Sequence, residues 1–221
     1  MSGEAEEAHQ LLAGGANIEE RGGEAGDLAS PLQAAVRRGF ADMVQLLLEN
    51  GAEITVQDSD GNTLLHLTAS RDNEAVILIL LEHGADVSTT NARGNTPLDA
   101  AARKGHRVAA ERLLEHGADA SAKGEAGMTP IHWASFQGRA AVVQMLIEHR
   151  ANVSVEDNFG RTPEDCATSE SHVEIVAMLK AEAVTRAKCV AFAMGHHTRL
   201  GVGSLAEGLE LEVIRMVLDQ V

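Results

Sequence analysis

The sequence predicts an all-α solenoid, a stack of helix pairs joined by extended connections, followed by a C-terminal helical extension. Three observations predict it. Two phrases recur at one fixed period along the chain. Residues that start helices and glycines that stop them fall at the same places within each period. Aromatics make up only 2% of the 221 residues, so burial rests on Ala, Leu, Val and Ile, which suit helices laid close together.

The first phrase is Ser30-Pro31-Leu32-Gln33, Thr63-Leu64-Leu65-His66, Thr96-Pro97-Leu98-Asp99, Thr129-Pro130-Ile131-His132 and Thr162-Pro163-Glu164-Asp165, each copy 33 residues after the last. The hydroxyl residue is an N-cap, and proline follows at the first helical position, where its missing N–H costs nothing. The second phrase is Glu49-Asn50-Gly51-Ala52, Glu82-His83-Gly84-Ala85, Glu115-His116-Gly117-Ala118 and Glu148-His149-Arg150-Ala151. Leu11-Leu12-Ala13-Gly14-Gly15-Ala16 is an earlier copy, with Gly15 36 residues before Gly51.

Each unit therefore reads as a short helix, a turn and a second helix. In the third unit Leu98, Ala101 and Ala102 face inward and Gly105 ends the short helix. The second helix runs from about Arg107 to His116, and Gly117 closes it in the left-handed conformation. One unit alone cannot bury its apolar face, so neighbours must stack. Residues 1–183 form the stack: a partial first unit, full units at 25–57, 58–90, 91–123 and 124–156, and a divergent fifth from 157. Asp72, Arg150 and Ser171 replace glycines at turn positions, and Glu164 replaces the usual leucine, so the fifth unit reads as a polar cap. Residues 184–221 form the extension: a helix continuing to about Met194, a loop over 195–203, and an amphipathic helix over 210–221.

The phrases Gly94-Asn95-Thr96-Pro97-Leu98-Asp99-Ala100-Ala101 and Gly127-Met128-Thr129-Pro130-Ile131-His132-Trp133-Ala134 resemble the ankyrin repeat family over roughly residues 8–183. The resemblance implies a curved stack of helix pairs with β-hairpin-like loops, whose short helices and loop tips form a concave groove. It also implies that His66 and His132 brace loops by hydrogen bonds.

Composition bounds the function. A net charge of -15 argues against general nucleic-acid binding, which needs a basic surface. The N-terminal ten residues are acidic and carry no apolar run, and the longest such run, Ala75 to Leu81, is too short for a bilayer. Cys166 and Cys189 form neither a disulfide framework nor a zinc motif. A cytoplasmic or nuclear, monomeric protein is the expectation.

No chemistry stands out. His83, His116 and His149 recur one per unit, too far apart to share a metal, and read as helix-end residues. His196-His197 has no third ligand in sequence, and Gly201-Val202-Gly203-Ser204 lacks the lysine of a phosphate loop. Neither a catalytic residue nor a cofactor or metal site is assigned.

A partner-binding surface is. Mapping the groove of the resembled family onto this chain puts Arg37, Arg38, Arg71, Arg93, Arg103 and Lys104 on its first three units, six of eighteen basic residues. Met128, Trp133, Phe136 and Phe159 follow as an apolar patch. The surface suits a protein or peptide with acidic or phosphorylated residues and a bulky apolar anchor. The expected function is a non-catalytic protein–protein interaction module or scaffold, with neither nucleic acid nor membrane as partner. Two alternatives stand beside it. One is a substrate-recognition adaptor whose helix over 205–221 recruits other machinery, such as a ubiquitin ligase. The other is a regulatory domain of a longer protein.

Overall fold

The computed structural model describes residues 17–19 and 29–199, with side chains to Cys189. Short helices are α1 (Pro31–Arg38), α3 (Leu64–Ala69), α5 (Pro97–Lys104), α7 (Pro130–Phe136) and α9 (Pro163–Ser169). Their partners are α2 (Ala41–Glu49), α4 (Glu74–Glu82), α6 (Arg107–Glu115), α8 (Ala140–Glu148) and α10 (Val173–Arg199). The short helices pack one on the next, as do the long ones, giving two rows that share one core. Leu98, Leu113, Ile131, Leu146 and Leu179 sit in it, each 1% exposed or less.

Capping explains where the short helices start. Ser30, Thr63, Thr96, Thr129 and Thr162 are extended N-caps, each in a reciprocal box with the residue three places on. Thr96 N–H donates to Asp99 Oδ2 at 2.8 Å and Asp99 N–H to Thr96 Oγ1 at 3.2 Å. Gly39 and Gly105 end α1 and α5 in the left-handed region. A Cβ at Gly105 would come 2.7 Å from Arg139 Cδ in the next unit, so close packing as well as backbone hand calls for glycine there. Asp72 adopts that conformation with φ 57° and is compensated: its Oδ1 accepts from Ala109 N–H at 3.1 Å.

Arg150 has no such return among the described residues. Its φ is 62°, and at the equivalent Gly51, Gly84 and Gly117 a Cβ would meet nothing within 4 Å. The side chain therefore fits, and only the backbone is strained. Replacing Arg150 with Gly should raise unfolding free energy by about 1 kcal/mol, read from urea titration. An unchanged or lower value would show that the arginine side chain returns the cost.

The loops between units are hairpins built on Asx turns. Asp58, Asn91 and Asp157 each accept two backbone N–H groups at Oδ1, as in Asp157 with Phe159 at 2.8 Å and Arg161 at 2.9 Å. Gly124 occupies this register without a side chain. There Asn95 Oδ1, from the preceding loop, takes over and accepts from Glu125 N–H at 2.9 Å. The loop tightens into a 3₁₀ turn over Glu125–Gly127, and Ala126 is driven to φ 57°.

One element differs from expectation. α10 continues through Gly195 to Arg199, where a loop from Gly195 is expected. A single glycine costs a helix about 1 kcal/mol, which weakens it without ending it. The boundary expected between residues 183 and 184 falls inside this helix. The expected helix over 210–221 and the partial first unit's Leu11 phrase lie outside the described residues.

Candidate functional site

The C-terminal ends of the short helices and the tips of the preceding loops form one face. Arg38 and Arg71 are exposed at the ends of α1 and α3, and Arg37 is half-buried beside Arg38. Arg103 and Lys104 are exposed at the end of α5, and Arg93 at the 91–95 loop tip. α5 brings its two cations to a cleft of about 410 Å³ that spans the second to fourth units. Arg93, Arg103, Lys104 and Trp133 line it, together with Asp60 and Asp99. The amides of Asn62, Asn91 and Asn95 add polar lining, and Asn91 Nδ2 donates to Asn62 Oδ1 at 2.9 Å to hold two loops together. Arg103 lies over the Trp133 ring, 5.1 Å from its centroid. Arg93 reaches Glu125 at 3.8 Å, a weak exposed pair. The structure thus joins four of the ten expected partner-binding residues in one concavity.

The apolar patch is smaller than expected. Met128 is 5% exposed and Trp133 9%, so both belong to the core. Position 128 shares the register of Asn95, itself 8% exposed, because each loop is covered by the next unit. Phe136 is half-buried against the core. Phe159 is 72% exposed, with Arg161 stacked 5.1 Å from its ring centroid. Arg161 is held in turn by the buried Asp157 carboxylate at 2.7 Å, which fixes the pair on the loop tip.

His66, His83, His116 and His132 are structural. His66 and His132 accept at Nδ1 from the N-cap threonine N–H, at 3.2 and 3.1 Å. That leaves Nε2–H to donate across the unit boundary, to Asn95 O at 2.8 Å and Arg161 O at 3.0 Å. Burial lowers the pKa of both. His83 and His116 bond the carbonyls of Ile79 and Arg112 one turn back. Among the described residues no three His, Cys, Asp or Glu side chains are grouped to hold a metal. Cys166 is a buried core thiol whose pKa burial raises. Among the described residues no helix is long and apolar enough to cross a membrane.

Sequence reasoning missed a second ladder. Asn73, His106, Arg139 and His172 recur 33 residues apart. Each donates to a carbonyl at the end of the short helix in the preceding unit: Gly39 at 3.3 Å, Ser70 at 3.1 Å, Arg103 at 3.4 Å and Phe136 at 3.2 Å. The last carbonyls of a helix need such donors. The signal was a polar residue in constant register, concealed by its changing identity.

A family model described as Ankyrin repeats (3 copies) matches residues 32–124 and 119–189. Comparison with curated proteins yields no match. Ankyrin repeats generally mediate protein–protein interaction, and the family is typically non-catalytic. Matched along most of its length, and built from stacked helix pairs with capped Thr-Pro starts, the chain belongs to the ankyrin repeat family.

Proposed function

We propose that this protein is a non-catalytic interaction module that seats a partner polypeptide along the groove face. Acidic or phosphorylated residues of the partner meet the exposed stripe of Arg38, Arg71, Arg93, Arg103 and Lys104, and a bulky apolar side chain meets Phe159 and Phe136. One observation carries the reading. A chain of net charge -15 gathers three cations around a single cleft on the face made by its short helices and loops. Such a local reversal of sign steers an acidic partner and makes capture sensitive to salt.

The test uses cations outside the cleft. Arg38→Glu with Arg71→Glu should weaken partner capture at least about tenfold at low ionic strength, with the difference shrinking as salt rises. Arg107→Glu, on the exposed side of α6, should leave the same partner captured as before. Equal retention by the groove and α6 variants would end the reading. The adaptor alternative rests on residues 205–221, which lie outside the described residues.

A further inference from the structure

Asp99 breaks the pattern of its register. His66 and His132, 33 residues to either side, each cap a helix and also tie to the next unit through Nε2–H. Asp99 keeps only the capping half, with Oδ2 accepting from Thr96 N–H at 2.8 Å and Thr96 Oγ1–H at 2.9 Å. Its Oδ1 is buried and has no partner among the described residues. Trp133 Nε1, in the same cleft lining, is likewise buried and unpartnered. A buried carboxylate oxygen without a donor is costly when charged and tolerable when protonated. Burial accordingly pushes the Asp99 carboxyl up to about 7.

The surroundings make that proton matter. Arg93, Arg103 and Lys104 against Asp60 and Asp99 leave the cleft lining with one net positive charge, and protonating Asp99 leaves two. From α3 comes His66, kept neutral at pH 7 by burial and bonded to Asn95 O. From α7 come Trp133 and His132, the latter bonded away toward Arg161. α6 turns Ala109, Ala110 and Leu113 inward. The next loop brings Glu125, opposite Arg93, and His106, just before α6, donates to Ser70 O at 3.1 Å.

We propose that the cleft is the subsite for one oxyanion of the partner, a carboxylate or phosphoryl group on a polypeptide side chain held by Arg103 and Lys104, and that filling it places a proton on Asp99. The inference rests on the groove reading and narrows it to one chemical group and one linked proton. An anion seated above Asp99 is repelled unless that carboxyl is neutral. Linkage then requires that affinity fall as pH rises through neutrality. A phosphoserine gains charge over the same range, so its own ionisation pulls the opposite way.

Trp133, the single tryptophan in the sequence, reports from the cleft itself. The full chain is titrated with a capped pentapeptide bearing paired glutamates and a phenylalanine. Parallel titrations use its glutamine counterpart and a version with phosphoserine for the first glutamate. The glutamate peptide should bind about tenfold tighter at pH 6 than at pH 8, as one linked proton requires. Asp99→Asn should hold the tighter affinity at both pH values, and His106→Gln should keep the wild-type dependence. Arg103→Glu with Lys104→Glu should lose at least about tenfold at both. Because Asp99 caps α5, Asp99→His serves as a second variant that restores the neighbouring units' residue, with thermal unfolding confirming that each protein folds. A phosphoserine peptide at least tenfold tighter than the glutamate one identifies phosphoryl as the group, and no gain identifies carboxylate.

The subsite is overturned if the glutamine peptide binds as well, or if Asp99→Asn and Asp99→His keep the pH dependence. It is equally overturned if neither acidic peptide saturates the Trp133 signal by roughly 10 mM, too weak for a specific site. Any of these results beside lost capture in the Arg38/Arg71 variant would sink the subsite and leave the groove reading standing. Saturable, proton-linked peptide binding with unchanged capture would do the reverse.

Discussion

Leu113→Ala will cost about 2–5 kcal/mol of unfolding free energy, the range for deleting most of a fully buried leucine. Leu113 is 0% exposed in α6, which packs against α4, α5 and α8 at the centre of the stack. Ala109 and Ala110 are buried beside it on the same helix, and all three belong to the single apolar core. At about 2–4 °C per kcal/mol for a chain of this size, the thermal midpoint should drop by roughly 4–20 °C. A repeat stack adds a second consequence. Each unit is stabilised by its neighbours, so a weak central layer loosens the coupling between the two ends. The variant should therefore unfold over a broader range, with a lowered denaturant slope. Val108→Ala is the control: Val108 is 36% exposed on the same helix, and its loss should stay within about 0.5 kcal/mol. Similar losses at both positions would mean that α6 does not bury the face assigned to it.

The architecture was legible because ankyrin units announce their helix ends locally. Ser30, Thr63, Thr96, Thr129 and Thr162 all cap helices where the phrase predicts, and Gly105 and Gly117 both turn left-handed. These effects depend on residues within one turn, which a sequence displays directly. Exposure on the groove depends instead on residues about 30 places away. Met128 reads as a loop-tip anchor, yet the adjoining loop covers it. Phe159, in the corresponding loop of the next unit, is left 72% exposed by the described residues. The 3₁₀ turn at Glu125–Gly127 has the same origin: Gly124 lacks the carboxylate or amide of Asp58, Asn91 and Asp157, and a side chain from the previous unit replaces it. The cleft was half legible. Arg93, Arg103 and Lys104 could be placed on one face from their register, whereas the stranded Oδ1 of Asp99 needed coordinates to be seen.

Asp99→Asn should make the protein more stable above neutral pH by about 2 kcal/mol, with or without any partner. The folded-state value of about 7 lies above the ordinary 3.8, so folding favours the protonated carboxyl. Stability from this group is fully present below pH 3.8 and is lost as pH rises through about 7. The shift corresponds to as much as about 4 kcal/mol. The unpaired amide N–H of asparagine returns roughly half of that. His66 and His132 act with the opposite sign. Burial lowers both from 6.5, so their contribution is present above that value and is lost as pH falls toward the lowered folded values. Protonation at Nδ1 would also remove the acceptor for the Thr63 and Thr129 N–H groups at the starts of α3 and α7. Wild type is therefore pressed from both sides. The aspartate weakens the third unit as pH rises, and the histidines weaken the joints on either side of it as pH falls. In urea titrations at pH 5, 6, 7 and 8, Asp99→Asn should lose the alkaline decline and keep the acid one. A wild-type profile that stays flat from pH 6 to 8, or an asparagine variant that declines in parallel with it, would show that water reaches the Asp99 carboxylate and that the joint carries no buried charge.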